Sequence, residues 1–205
     1  MFYTDRLMIR SFDPDTDLNL MTQWLNDVEI MSAISLHPPV ACSKADAKKF
    51  MEKIVQKESK LPFFLVCEKP TPGTDPASLG KHEDLFSKDG TARYPFFGIL
   101  NMGSPDEMHF ATRVVRWGIA FDRDHQDRGY GSELLQWAAE YCFKTLGAHK
   151  VELDVSAANV RALHVYEKVG FKKEGLRKKR FWINGHWEDM VEMGFLEEDW
   201  FATHQ

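Results

Sequence analysis

Hydrophobic and polar positions along this chain change their period several times, and each change marks an element. From Leu7 to Phe12 two sets alternate, Leu7, Ile9 and Ser11 against Met8, Arg10 and Phe12. That predicts an opening strand, which Asp13-Pro14-Asp15 breaks. Leu18, Met21, Trp24 and Leu25 then recur at the spacing of one helical face, with Asp17 placed to cap it. Ser43, with Asp46 three residues on, predicts the start of a basic amphipathic helix running through Ile54 and Val55. Phe63 to Cys67 is a short unbroken apolar run, the pattern of a buried strand. Phe96 to Asn101 and Val114 to Phe121 predict two more strands, joined as an antiparallel hairpin by the turn Gly103-Ser104-Pro105-Asp106.

The helical period returns from Gly131 to Leu146, with Leu134, Leu135, Ala138, Cys142 and Leu146 on the buried face. Gly147 stands where a left-handed C-terminal residue belongs. Val151, Leu153 and Val155 alternate with Glu152 and Asp154 in a further strand, and Asn159 caps a short helix through Tyr166 that Gly170 closes. Lys178–Ile183 and Glu188–Phe195 flank Asn184-Gly185, a strong hairpin dipeptide. Between Lys69 and Pro95 the periodicity disappears, and Pro70, Pro72, Gly73, Pro76, Gly80 and Gly90 punctuate a polar stretch. A connection this long predicts a mobile surface insertion over 70–95 within a single domain spanning 1–205. The order of elements is strand, two helices, three strands, helix, strand, helix, two strands.

Composition narrows the function classes. A length of 205 residues suits one domain, and 43% hydrophobic against 28% charged residues is the balance of a soluble globular protein. Twenty-six basic and thirty-one acidic residues give a formal charge of −5, which argues against a dedicated nucleic-acid binder. Cys42, Cys67 and Cys142 are widely spaced, with no CxxC pair, so neither a disulfide framework nor a metal site is expected. No apolar run follows the charges of the first residues, and no stretch approaches the ~18 apolar residues of a membrane span. The expectation is a cytoplasmic protein without membrane contact.

The chemistry concentrates in Gln126-Asp127-Arg128-Gly129-Tyr130-Gly131-Ser132, at a strand-to-helix junction. Two glycines there permit a tight turn and leave no Cβ above the amides. A helix's first turn has N–H groups without intrahelical partners at the positive end of the macrodipole. Together these suit a phosphate or diphosphate, and Arg128 adds a permanent charge. The segment lacks the lysine of a P-loop. It is not the dinucleotide fingerprint either, because Leu134 stands where the third glycine belongs.

Gln126-x-x-Gly129-x-Gly131 resembles the Q/R-x-x-G-x-G/A motif of the GCN5-related N-acetyltransferase (GNAT) superfamily. Asn159, Ala162 and Tyr166-Glu167-Lys168-Val169-Gly170-Phe171 resemble its second block at the expected distance. Thr4-Asp5-Arg6-Leu7-x-x-Arg10 and Asn184-Gly185-x-Trp187-x-Asp189 resemble the subgroup of ribosomal-protein alanine and small-amine acetyltransferases. The resemblance runs from about residue 4 to residue 200, outside the insertion. It implies an α/β (α+β) GNAT fold, a central mixed, mostly antiparallel sheet of six to seven strands flanked by about four helices. It also implies an enzyme that moves the acetyl group of acetyl-coenzyme A to a primary amine, by direct attack in a ternary complex. A catalytically silent acetyl-coenzyme A sensor is the alternative.

Carried over residue by residue, the resemblance places the amides of Arg128, Gly129, Tyr130, Gly131 and Ser132 on the coenzyme diphosphate, with Gln126 shaping the loop. Main-chain groups of Ile119, Ala120 and Phe121 fall to the pantetheine arm, as does Asn159, which can cap its helix at the same time. Tyr166 is the expected acid, because a phenol near ~10 can serve a departing thiolate near ~8.5. Ala162 departs from the serine many relatives carry, which puts serine-assisted proton transfer in doubt. The base stays open among Asp154, Glu152, Asp122 and His125. The basic run from Lys172 to Arg180 reads as a solvated strand edge, and Trp182 and Trp187 flank the last turn. The implied partners are a small-molecule or peptide amine, with the chain a monomer or homodimer and no metal.

Overall fold

The strand expected at Leu7 forms over Leu7–Ser11 (β2), and a two-residue strand, Phe2–Tyr3 (β1), pairs with it. The computed structural model describes residues 1–34, 41–55, 61–70, 94–103, 109–183 and 185–204. The chain divides into two units, Met1–Asn101 with Ile119–His125, and Met102–Gly118 with Gln126–Gln205.

In the first unit β2 is followed by Phe63–Glu68 (β3) and Phe96–Gly103 (β4), whose last two residues belong to the second unit. These strands lie side by side in chain order, and β1–β2, β2–β3 and β3–β4 are antiparallel, with Ile9 opposite Val66 and Leu65 opposite Ile99. Leu7, Met8 and Ile9 are all fully buried, so β2 is covered on both faces. The alternation read there separates two buried sides. Helices Leu18–Asn26 (α1), Val28–Ile34 (α2) and Lys44–Val55 (α3) complete the unit. Met8, Leu65, Cys67 and Ile99 meet Leu18, Met21, Trp24, Leu25, Ile30, Ala47 and Met51 in one core, and Trp24 lies 5.1 Å from Phe96 between ring centroids. Full burial of a Leu or Met contributes ~1.5–3 kcal/mol, so this cluster accounts for much of the unit's stability.

The two helix starts read from sequence fare differently. Ser43 caps α3 as expected: its Oγ accepts from Asp46 N at 3.2 Å, and Asp46 Oδ2 accepts from Ser43 N at 3.3 Å. Asp17 makes no side-chain cap. Its carboxylate instead grips Arg10, with Oδ2 at 2.6 Å from Nη1 and Oδ1 at 2.8 Å from Nη2, both residues buried. A buried guanidinium needs a full counter-charge, and that demand outweighs a cap. A third start escaped the reading: Asp27 Oδ1 accepts from Glu29 N and Ile30 N and opens α2.

The second unit holds most of Val114–Phe121 (β5), with Lys150–Ser156 (β6), Lys172–Ile183 (β7) and His186–Leu196 (β8), in the order β5-β6-β8-β7. β5 and β6 run parallel and the other pairs antiparallel. Eight strands thus form among the described residues where six to seven were expected. The addition is β1, too short to show a period. A short helix, His109–Thr112 (α4), lies between β4 and β5, so the connection is longer than the four-residue turn expected there. Ser104, Pro105 and Asp106 of that turn, residues 71–93 of the expected insertion, and Asn184 lie outside the described residues.

Tyr130–Glu140 (α5) continues into a π-helical turn, Tyr141–Thr145. The wider turn rotates the face by about one position, so Phe143 is buried and Leu146, expected inside, is only half-buried. Val160–Val169 (α6) and Glu197–Thr203 (α7) follow. The alternation read in β6 is correct: Val151, Leu153 and Val155 are buried and Glu152 and Asp154 are not. Phe171 and Phe143 each pack 5.5 Å from Phe195, and Trp117 lies 5.4 Å from Phe171, forming the aromatic centre of this unit. β7 begins at Lys172, six residues before the strand expected, and among the described residues is an edge strand paired with β8. Its exposed lysines suit that position.

Candidate active site

The mouth of α5 is built as its sequence requires. Gly129 is the N-cap with φ +80, a left-handed conformation open to glycine at no steric cost, and it offers no side chain to the helix. The first backbone bond of the helix runs from Glu133 N to Gly129 O at 3.2 Å. The amides of Gly131 and Ser132 therefore sit ahead of the intrahelical ladder, at the positive end of the dipole. Asp127, two residues earlier, is also left-handed at φ +59. Helix α6 makes the contrast: there Asn159 Oδ1 accepts from Ala162 N at 3.1 Å, so that terminus is capped from within. The chain closes one helix start with a side chain and gives the other no side-chain cap.

Beside this mouth the parallel ladder is short. Val114, Val115 and Arg116 register with Lys150, Val151 and Glu152, and the register ends there. Trp117 and Gly118 on β5, and Leu153 onward on β6, continue without pairing to each other. On its other side β6 stays registered with β8 as far as Ser156 opposite Met190. Of the residues expected to meet the pantetheine, Ile119, Ala120 and Phe121 end β5 and belong to the first unit. Gln126 to Ser132, Asn159 and Tyr166 belong to the second unit.

Tyr166 projects from α6 with its ring 5.8 Å from Phe171. Burial pushes its phenol up to about 12, and among the described residues its hydroxyl makes no hydrogen bond. The turn behind it is tight: Gly170 N bonds Tyr166 O and Glu167 O at 3.2 Å, and Phe171 N bonds Tyr166 O at 3.0 Å. Gly170 has φ +125, and a Cβ placed on it would stand 2.6 Å from Phe195 Cζ. Gly170→Ala should therefore cost about 2–4 kcal/mol through backbone strain and overpacking together. A drop in melting temperature of roughly 5–15 °C is expected at this chain length. A melt within two degrees of the parent would show that Phe195 yields freely.

The four candidate bases separate by their partners. Glu152 Oε1 takes both Arg116 Nη2 at 2.6 Å and Nε at 3.0 Å. Asp122 Oδ1 lies 2.6 Å from His125 Nδ1, and the His125 ring stacks on Phe97 at 4.1 Å. Asp154 meets Arg116 only at 3.5 Å, and burial raises its carboxyl above the ordinary range despite that cation. Of the two carboxylates that meet Arg116, Asp154 has the looser contact.

Two groups escaped the sequence reading. Arg161, in the first turn of α6, reaches Gln126 Oε1 with Nη2 at 2.5 Å and Asp127 Oδ2 with Nη1 at 3.2 Å. As a cation two residues past an Asn cap it opposes the helix dipole, but its partners are distant in sequence and only the fold reveals them. Ser156 Oγ donates to Glu188 Oε2, and His186 Nε2 lies 3.1 Å from Glu188 Oε1. That trio depends on the β6–β8 register, which no local pattern reveals. Among the described residues no group of three or more His, Cys, Asp or Glu is placed to hold a metal, and no helix is long and apolar enough to cross a membrane.

Comparison with known proteins places this geometry. The spermidine N(1)-acetyltransferase of Vibrio cholerae is 34% identical over 91 residues, 44% of this chain and 53% of that protein. The ribosomal protein uS5-alanine N-acetyltransferase of Escherichia coli is 29% identical over 127 residues, 56% of this chain and 63% of that protein. The chain spans about half the length of the curated relatives it matches most strongly. A crystal structure of the Vibrio cholerae enzyme in complex with CoA and spermine superposes with a TM-score of 0.75 at 23% identity, covering 97% of this chain and 99% of that one. The fold is the same. A model of the acetyltransferase (GNAT) domain matches residues 6–172, and the chain belongs to that family.

Proposed function

We propose that this protein transfers the acetyl group of acetyl-coenzyme A to a primary amine, and that its acceptor is a small amine of the polyamine class. The observation that carries the reading is the mouth of α5, where a left-handed Gly129 caps nothing and the Gly131 and Ser132 amides precede the helical ladder. The residues fit the donor: a diphosphate linker supplies the acceptors that such amides require. The names of the relatives support the amine as acceptor.

The residues divide the work as follows. Main-chain amides from Arg128 to Ser132 hold the diphosphate, and Gln126 shapes their loop. Ile119, Ala120 and Phe121 offer main-chain groups to the pantetheine arm along the end of β5. Asn159 Oδ1 is committed to its cap, and its amide nitrogen, unbonded among the described residues, serves a cofactor carbonyl. A primary amine near ~10.4 must lose a proton to attack, which costs roughly 4–5 kcal/mol at pH 7. Asp154, made more basic by burial, receives that proton. Tyr166 donates a hydrogen bond to the sulfur as the thioester carbon–sulfur bond breaks and the new carbon–nitrogen bond forms, and the excess proton left on that nitrogen passes to the departing thiolate.

Steady thiol release that requires both acetyl-coenzyme A and an amine is the expected result. Coenzyme A at 100 times its dissociation constant should stabilise the fold by ~2.7 kcal/mol and raise the melting temperature by roughly 5–10 °C. A shift without turnover on any amine would leave a silent binding module. No shift at all would remove the reading.

A further inference from the structure

Arg161 occupies a position that its own helix disfavours. It is the second residue of α6, where the dipole opposes a cation, and its ion pair does little to compensate. The Nη1 to Asp127 Oδ2 distance is 3.2 Å, with the two side chains 52% and 74% exposed, and pairs so exposed are worth little. The stronger contact is Nη2 to Gln126 Oε1 at 2.5 Å. Both partners belong to the loop whose amides, on the function proposed above, take a diphosphate. Asp127 thus sets a carboxylate at the lip of an anion site, in a left-handed conformation that Asp and Asn tolerate better than other side chains. An acidic side chain there repels an incoming diphosphate unless its charge is already in use.

We propose that Arg161 is a phosphate-binding residue and that Asp127 is the internal anion it exchanges for the diphosphate of coenzyme A. In the free protein Asp127 holds one arm of the guanidinium. When the diphosphate enters, Arg161 turns that arm to a phosphate oxygen, which planar, charge-assisted Arg–phosphate geometry favours over a solvated carboxylate. Asp127 returns to water. Gln126 Oε1 keeps the second arm in place throughout, so the side chain pivots and α6 stays joined to the loop.

The two halves of this ion pair should then act in opposite directions, which no structural staple would do. Calorimetric titration with acetyl-coenzyme A should show Arg161→Ala raising Kd at least tenfold and Asp127→Asn lowering it about three- to tenfold. In the double variant the gain from Asp127→Asn should shrink, because no guanidinium remains to be released. Arg161→Lys keeps the charge without the fork and should fall between the parent and Arg161→Ala. Circular dichroism melts of the unliganded variants keep folding separate from binding. The same titrations with 3′-dephospho-coenzyme A separate two phosphate sources: a retained Arg161→Ala effect supports the diphosphate, and a lost one moves Arg161 to the 3′-phosphate and overturns the assignment. Equal weakening by both single variants, or no effect of Arg161→Ala, also overturns it while leaving the proposed function intact. A parent protein that ignores acetyl-coenzyme A ends both.

Discussion

Replacing Tyr166 with Phe should lower turnover by about 10²-fold or more while leaving the affinity for acetyl-coenzyme A within a few-fold of the parent. The size follows from where the phenol sits. Burial has pushed it up to about 12, roughly 3.5 units above an ordinary thiol near ~8.5. Complete proton transfer to a thiolate would be uphill by about 5 kcal/mol at 1.36 kcal/mol per unit. The hydroxyl therefore acts as a neutral donor that strengthens its hydrogen bond as charge grows on sulfur, an interaction made only in the transition state. Phe keeps the contact with Phe171, so folding and cofactor affinity should change little. The sign of the pH dependence follows as well. Unfolded, the phenol loses its proton near ~10. Folded, it keeps the proton up to about 12. Tyr166 thus favours the folded state below pH 10, an advantage lost as pH rises to 12. Any alkaline limb in activity between pH 8 and 10 belongs to another group. A Tyr166→Phe enzyme with kcat within threefold of the parent would take the donor role away from this residue.

The helix ends that flank the candidate site were legible in the sequence. Gly129 was readable because a left-handed junction between strand and helix leaves one residue type free of penalty, and the structure gives it φ +80. Asn159 and Gly170 were readable as the two ends of α6 for the same kind of local reason. Arg161 was not, because its partners Gln126 and Asp127 lie 35 and 34 residues away and only the fold brings them near. Asp154 and Glu152 were correctly put on one face, but period alone does not say which of them Arg116 neutralises. Local reasoning also misjudged the π-helical turn after Glu140, where one wide turn moved Phe143 into the core and turned Leu146 partly out. Asp17 failed in a more instructive way. Its position before a helical face satisfied the rule for a cap, yet the rule counts only backbone donors within reach, and the stronger demand came from Arg10 on β2.

Asp17→Ala is expected to cost about 3–5 kcal/mol, a large share of the roughly 5–15 kcal/mol that holds a domain folded. Arg10 is 3% exposed and Asp17 1%, and the two meet through both arms of the guanidinium at 2.6 and 2.8 Å. Removing the carboxylate leaves a desolvated cation without its two-armed partner. Cys67 lies against Arg10, and with Asp17 in place burial pushes its thiol up to about 11, so the carboxylate is the pair's anion. Asp13 N would also lose its acceptor, Asp17 Oδ2 at 2.9 Å, and with it the tie that turns the chain from β2 into α1. The melting temperature should fall by roughly 6–20 °C. The pair differs from its parts, because two charges removed together leave no unpaired ion. Arg10→Met combined with Asp17→Leu should recover most of the loss, since apolar replacement of a whole buried pair is often neutral or better. Urea melts of the two single variants and the double variant measure the coupling directly. If the losses simply add, Arg10 reaches water once Asp17 is gone, and the buried pair is not what anchors α1 to β2.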